Sequence, residues 1–66
     1  METIDFNKKI YCIDNIKKTA EEFKNLSDIS VKEIGGKIKV TFDKIDPEYK
    51  DVIKDEFANF VLGLMG

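Results

Sequence analysis

The residue types that carry most proton-transfer and nucleophilic chemistry are scarce in this chain of 66 residues. It contains no His, no Arg and a single cysteine, Cys12. Without His, no Ser–His or Cys–His dyad can form, and the side chain best suited to proton transfer near neutral pH is missing. Without Arg, the planar group that clamps phosphates and reads guanine edges is also missing. The composition therefore predicts a protein that catalyses nothing and binds no cofactor.

The remaining reactive groups have simpler structural explanations. Cys12 precedes a predicted helix whose dipole could activate the thiol, yet no His or Arg is present to hold a thiolate. A lone cysteine also offers neither a disulfide nor a CxxC metal or redox pair. Four aspartates follow at spacings that match no EF-hand loop, and helix capping and solubility account for them. They are Asp43, Asp46, Asp51 and Asp55. We expect no metal site.

The elements that must position the other side chains begin with a strand and a helix. Alternating apolar residues predict a strand over Thr3 to Ile10, with Ile4, Phe6 and Ile10 on its dry face. Helical spacing then predicts a first helix with Cys12 or Asp14 as its N-cap. Its apolar stripe is Ile13, Ile16, Ala20 and Phe23, extended by Leu26.

A β-hairpin is the clearest structural signal. Gly35 and Gly36 separate Ile29–Ile34 from Lys37–Phe42, the composition of a two-residue loop that needs a positive φ. If the glycines form the loop, Val31 faces Val40 on the core side and Ile29 faces Phe42. Slipping this register by one residue would expose the apolar side chains, so the sequence specifies the pairing strongly.

A second helix is predicted to start at Asp46-Pro47-Glu48, which combines an acidic cap with proline at the first helical position. The apolar stripe of this helix is Tyr49, Val52, Ile53, Phe57, Phe60 and Leu64, with Glu56 as its charged member. The order β-α-β-β-α predicts a single two-layer α+β domain over 1–66. We expect an antiparallel three-stranded sheet in the order 1-3-2, with both helices on one face. This is a ferredoxin-like arrangement that lacks its last strand, so strand 1 should be an open edge.

Three surfaces are candidates for partner contact. The first is the open edge strand, and the second is a lysine-bearing hairpin face on which Lys32 and Lys39 oppose each other. Such like-charged pairs are mildly destabilising, so a docking surface for an acidic partner is one explanation. A solvated face that prevents sheet stacking is the other. The third surface is the C-terminal helix, which is too apolar all round for one core-facing stripe to hide. The predicted partner-binding residues are Ile4, Phe6, Lys8, Lys9, Lys32, Lys37, Lys39, Phe60, Leu62, Leu64 and Met65.

Short segments of the chain resemble the HxsD family, small proteins encoded beside radical-SAM peptide-modifying enzymes. The resemblance lies in Tyr11, in Ile16–Ala20 with Phe23, and in Glu56–Asn59 with Leu62. The chain departs from the family pattern at Cys12, Phe60 and Gly63. The resemblance implies an accessory role in maturing a ribosomally made peptide, by binding either the peptide or its radical-SAM enzyme, with no catalytic residues in this chain.

Two other classes of function were considered, and the sequence leaves the first open and argues against the second. A structural or regulatory homodimer would use the same apolar C-terminal helix. A small enzyme of acylphosphatase type would need an Arg-bearing phosphate loop, which the sequence lacks.

The net charge of −2 and a pI near 5.0 argue against a nucleic-acid partner. The N-terminus has no apolar stretch of signal-peptide type and no segment is apolar enough for a membrane span, so we expect a cytoplasmic protein.

Overall fold

A computed structural model describes residues 2–65, so Met1 and Gly66 of the predicted domain lie outside the described residues. The elements are β1 (Glu2–Asn7), α1 (Ile13–Phe23), β2 (Asp28–Ile34), β3 (Lys37–Asp43) and α2 (Ile53–Met65). The strands form one antiparallel sheet in the order β1-β3-β2. α1 packs over β2 and α2 over β1, on the same face of the sheet. The predicted α+β architecture and strand order are confirmed.

The core lies between that face and the two helices. Because successive strand residues point to opposite faces, the even-numbered residues of β1 and β3 face the helices. Phe57 of α2 lies at the centre, with its ring centroid 5.2 Å from that of Phe42 and 5.4 Å from that of Phe23, both edge-to-face. The buried apolar residues are Phe6, Ile16, Ile38, Val40, Phe42, Ile53, Phe57 and Val61.

The hairpin has the predicted register. Ile34 pairs with Lys37, Val31 with Val40 and Ile29 with Phe42. Gly35 has a φ of 61° whereas Gly36 has no positive φ. A positive φ at the first loop position alone is typical of a type II′ turn, which explains why the first glycine is needed.

Strand β1 is shorter than predicted, because the chain turns at Asn7 instead of continuing to Ile10. The Asn7 carbonyl accepts hydrogen bonds from the backbone N–H groups of Ile10 (3.0 Å) and Tyr11 (2.9 Å). The Asn7 side chain accepts a third from the Lys9 N–H at 2.8 Å. Asn readily forms such local turns, and this one ends the alternation. Ile10 is therefore 61% exposed and does not join the dry face.

The predicted start of the second helix was wrong, since α2 begins at Ile53. Asp46 does act as a local cap, because its Oδ1 accepts from the Glu48 N–H at 3.0 Å. The result is a series of turns, because the Asp46 N–H is tied to the Leu26 carbonyl at 2.7 Å and holds this segment against the α1–β2 loop. Tyr49 and Val52 are consequently exposed rather than part of the buried stripe.

Helix α1 has Cys12 at its N-cap and turns the predicted stripe toward the core. Ile16 is fully buried, Ile13, Ala20 and Phe23 are half-buried, and Leu26 follows the helix. Thr19 is fully buried as well, which the apolar pattern did not indicate. Its hydroxyl donates to the Asn15 carbonyl at 2.8 Å, and this bond makes the burial of a polar group tolerable. Neither helix within residues 2–65 combines the length and the apolar composition that crossing a membrane requires.

Candidate functional site

The outer edge of β1 presents backbone hydrogen-bonding groups that the sheet does not use. The Lys8 N–H donates to the Gly36 carbonyl at 3.0 Å, one step beyond the Asn7–Lys37 pair. Hydrogen-bonded and non-hydrogen-bonded pairs alternate along an antiparallel ladder, so the backbone groups of Ile4 and Phe6 point toward β3. Those of Thr3 and Asp5, and the N–H of Asn7, therefore point away from the sheet. The edge predicted to be open can accept another strand.

A shallow depression of about 420 Å³ lies at the C-terminal end of this edge. Phe6 contributes to its lining but is only 4% exposed, which places its side chain in the core rather than on a contact surface. The exposed lining residues are charged or polar, and two of them are lysines from different strand ends, Lys9 and Lys37. The complete lining is Asp5, Phe6, Asn7, Lys9, Gly36 and Lys37. The charged side chains at this end of the edge are therefore two ammonium groups and one carboxylate, that of Asp5.

Two of the predicted lysines have acidic neighbours. The Lys8 ammonium forms an ion pair with Glu33 of β2. Lys39 lies directly opposite Asp5 on one side and Lys32 on the other. Like-charge repulsion between Lys32 and Lys39 is thus partly offset by a carboxylate. The positive character of the β1 edge rests mainly on Lys9 and Lys37.

The lysine-bearing face of the sheet is open to solvent. Lys32, Lys37 and Lys39 are exposed there, on the side opposite the helices. Ile34 lies on the same face beside Lys37 and is 57% exposed. The structure thus brings the three lysines together on one surface, as the hairpin pattern predicted.

The C-terminal part of α2 exposes the four apolar residues singled out from the sequence. The exposed fractions are 39% for Phe60, 52% for Leu62, 42% for Leu64 and 41% for Met65. One side of α2 faces α1, since the ring centroids of Phe60 and Phe23 lie 5.8 Å apart. The other side faces β1, since Lys54 Nζ lies 3.5 Å from a carboxylate oxygen of Glu2. The four residues therefore do not form one surface.

Helix geometry divides these four residues. Met65 lies about three turns after Lys54 and projects from nearly the same side, and Leu62 lies about two turns after it, displaced further from the core. Phe60 projects toward α1, and Leu64 lies between Phe57 and Phe60 around the helix axis. Met65 thus projects on the β1 side of α2, whereas Leu62 projects away from the sheet.

Two features of the site were not predicted from the sequence. One is the position of Asp5 beside the lysines, and the other is the direction in which each exposed α2 side chain projects. Asp5 was visible as a wet-face residue of strand 1, but its position opposite Lys39 follows only when the β1–β3 register is known. The directions of the α2 side chains become clear only from the Lys54–Glu2 and Phe60–Phe23 contacts, which show which side of the helix faces β1 and which faces α1. No short sequence pattern encodes them, because each joins residues from distant parts of the chain.

Residues 2–65 bring together no group of three or more acidic or cysteine side chains that could hold a metal ion. Cys12 is exposed, and its thiol makes no side-chain capping hydrogen bond to α1. The described residues thus offer backbone edges, lysines and apolar side chains as contact groups.

Comparison with known proteins gives no relative. No family model, no curated protein and no solved structure matches the chain.

Proposed function

We propose that this chain is a non-catalytic binding module that takes an extended, acidic peptide segment onto the free edge of β1. Main-chain hydrogen bonds to the edge would supply affinity, and alternate side chains of the ligand would supply specificity. The observation that carries the proposal is the row of outward backbone groups at Thr3, Asp5 and Asn7, next to the exposed lysines Lys9 and Lys37.

The proposal agrees with the role that the HxsD-like segments imply. A precursor peptide is an extended chain before modification, and an accessory protein could present it by adding it to a sheet. In this reading the bound partner is the peptide, and the radical-SAM enzyme acts on the complex. The absence of His and Arg from the sequence supports a binding role rather than a catalytic one.

A chemical-shift titration of the labelled protein with peptides encoded beside its gene tests the proposal. We expect perturbations along β1 and at Lys37, and an affinity that falls as salt rises, because exposed charges are screened. Replacing Lys9 and Lys37 by Gln should weaken binding, whereas Lys18→Gln on the exposed side of α1 should not. An absence of shifts with every such peptide, or a turnover that Cys12→Ser abolishes, would contradict the proposal.

Proline substitutions test the edge itself. Asp5→Pro removes an outward N–H and should leave the β1–β3 ladder intact while weakening binding. Ile4→Pro is the matched control, since it removes a donor that the ladder uses and should destabilise the fold. Asn7→Pro is a less clean test, because the Asn7 side chain and carbonyl both hold the following turn.

A homodimeric structural or regulatory module is the second candidate, favoured by the exposed apolar end of α2. Sedimentation at several concentrations distinguishes the two functions. A single species of twice the mass, unchanged by any peptide, would favour the dimer. A monomer that binds peptide would favour the first proposal.

A further inference from the structure

Asp5 lies in the middle of the free β1 edge and has an exposed carboxylate. Because side chains alternate along a strand, it projects from the open face of the sheet, as Thr3 and Asn7 do. Its cross-strand neighbour on β3 is Lys39. The three ion pairs formed within residues 2–65 do not include Asp5, so its carboxylate can pair with a cation from outside the chain.

The charges change sign along this edge. Lys9 and Lys37 line the depression at the C-terminal end of β1, where the strand ends at Asn7. Asp5 precedes Asn7 by two residues, which is about 7 Å along the strand. A chain that pairs with the edge would therefore pass two ammonium groups at one position and a carboxylate at the next position on the same face.

We propose that the β1 edge selects an antiparallel segment in which an acidic residue is followed two positions later by a basic residue. This inference rests on the proposed function and gives the charge order of its ligand. The ligand residue opposite Asp5 would exchange both backbone hydrogen bonds with it, since the Asp5 N–H and carbonyl point away from β3. The two side chains would lie on the same face with their Cβ atoms about 5 Å apart. At that distance a lysine or arginine of the ligand pairs with the carboxylate, whereas an acidic residue is repelled.

Strand direction determines the order of the two charges. In an antiparallel ligand, the residue opposite Asn7 comes two positions before the residue opposite Asp5. Its side chain lies at the end of the edge that Lys9 and Lys37 line, so an acidic residue is favoured there. Antiparallel pairing also continues the ladder of the existing sheet and is slightly more stable per residue than parallel pairing.

Two capped seven-residue peptides test the charge order. Both alternate threonine and valine, and in the probe an aspartate replaces the second threonine and a lysine replaces the third. The control peptide exchanges the aspartate and the lysine, so composition and net charge are the same. We expect the probe to bind about fivefold more tightly at low salt, because each charge then has an opposite charge beside it. The ratio should fall as salt rises, since exposed charges are screened.

A substitution at Asp5 tests the pairing itself. Asp5→Asn removes the charge with little change in shape and should raise the Kd of the probe about threefold. Asp28→Asn is the matched control, because it makes the same change at an exposed residue of β2, at the far edge of the sheet. It should leave the Kd within about 1.5-fold of the parent value. A third peptide with glutamine in place of the lysine should bind the parent and Asp5→Asn within about twofold of each other, which isolates the pairwise effect. Both substituted residues are exposed, so amide spectra should show the fold retained.

The results separate this inference from the proposed function. If the probe and the control bind β1 equally, or if Asp5→Asn leaves the Kd of the probe unchanged, the edge binds peptides without reading charge order and only this inference fails. Tighter binding of the control would indicate a parallel ligand and would also overturn this inference alone. A loss of affinity in Asp28→Asn rather than in Asp5→Asn would place the peptide on β2, and both proposals would fail. Both would also fail if neither these peptides nor any peptide encoded beside the gene binds at millimolar concentration.

Discussion

The two helices cover the same face of the sheet but present different surfaces to solvent. The exposed residues of α1 are polar or charged, whereas α2 exposes Phe60, Leu62, Leu64 and Met65. Both helices also supply fully buried apolar residues to the core, Ile16 from α1 and Ile53, Phe57 and Val61 from α2. The difference shows that α2 carries more apolar surface than this small core can bury.

We expect the largest loss of folding stability from a substitution on the sheet face that both helices cover. Val40 is fully buried between Ile4 and Val31, so Val40→Asp would bury an unpaired charge and should unfold the domain. Lys32→Asp on the opposite face should leave the fold intact, since it removes a like-charged pair with Lys39. Circular dichroism with urea titration measures both. Equal stability of Val40→Asp and the parent would show that the two faces are assigned wrongly.

Two phenylalanines of α2 sharpen the contrast between its buried and exposed sides. Phe57→Ala should cost about 3–5 kcal/mol in the free energy of unfolding, because the Phe57 ring is fully buried among three other aromatic rings. Phe60→Ala should cost only about 1 kcal/mol, since Phe60 is 39% exposed and its ring meets one aromatic ring, that of Phe23, edge-to-face. Urea unfolding monitored by circular dichroism compares the two. Similar losses for both variants would mean that Phe60 is a core residue and that α2 has no surplus apolar side.

We expect a smaller change in stability from a substitution at Gly63, which lies among the exposed residues of α2. A Cβ atom built there meets no other atom within 4 Å, and the residue has no positive φ. Gly63→Ala should therefore stabilise the fold by about 0.5–1 kcal/mol through the higher helix propensity of alanine. The midpoint of thermal unfolding at fixed protein concentration reports this gain. A loss of stability would indicate that the glycine permits a close approach by another chain, and sedimentation of both proteins would then identify a second copy.

Short-range patterns predicted most of this fold. The Gly35–Gly36 loop determines the hairpin register. The crossover through α1 is compatible with two strand orders, and the structure has the predicted one, β1-β3-β2. The patterns failed where a tertiary contact overrode a local signal. Asp46-Pro47 has the chemistry of a helix start, yet the bond from the Asp46 N–H to Leu26 directs the chain into turns.

The candidate site was less predictable than the fold. The free edge could be predicted from the strand order. Exposed apolar residues on α2 could also be predicted, because the helix has more apolar residues than one core-facing stripe can bury. The directions in which the exposed α2 residues project could not be predicted, because they depend on how α2 is rotated above the sheet. That rotation follows from the burial of Ile53, Phe57 and Val61. The predicted stripe contained Ile53 and Phe57 but not Val61, and its other apolar members are exposed, namely Tyr49, Val52, Phe60 and Leu64.

Amide hydrogen exchange with a bound peptide encoded beside the gene tests the central claim, that β1 accepts an extended chain, most directly. The two-residue hairpin loop makes Ile34–Lys37 a hydrogen-bonded pair, so the N–H groups of Val31 and Glu33 point outward from β2 and serve as an internal control. We predict slower exchange at Thr3 and Asp5 and unchanged exchange at Val31 and Glu33. Slowing at the β2 edge instead, or bound peptide with no slowing at β1, would contradict the account.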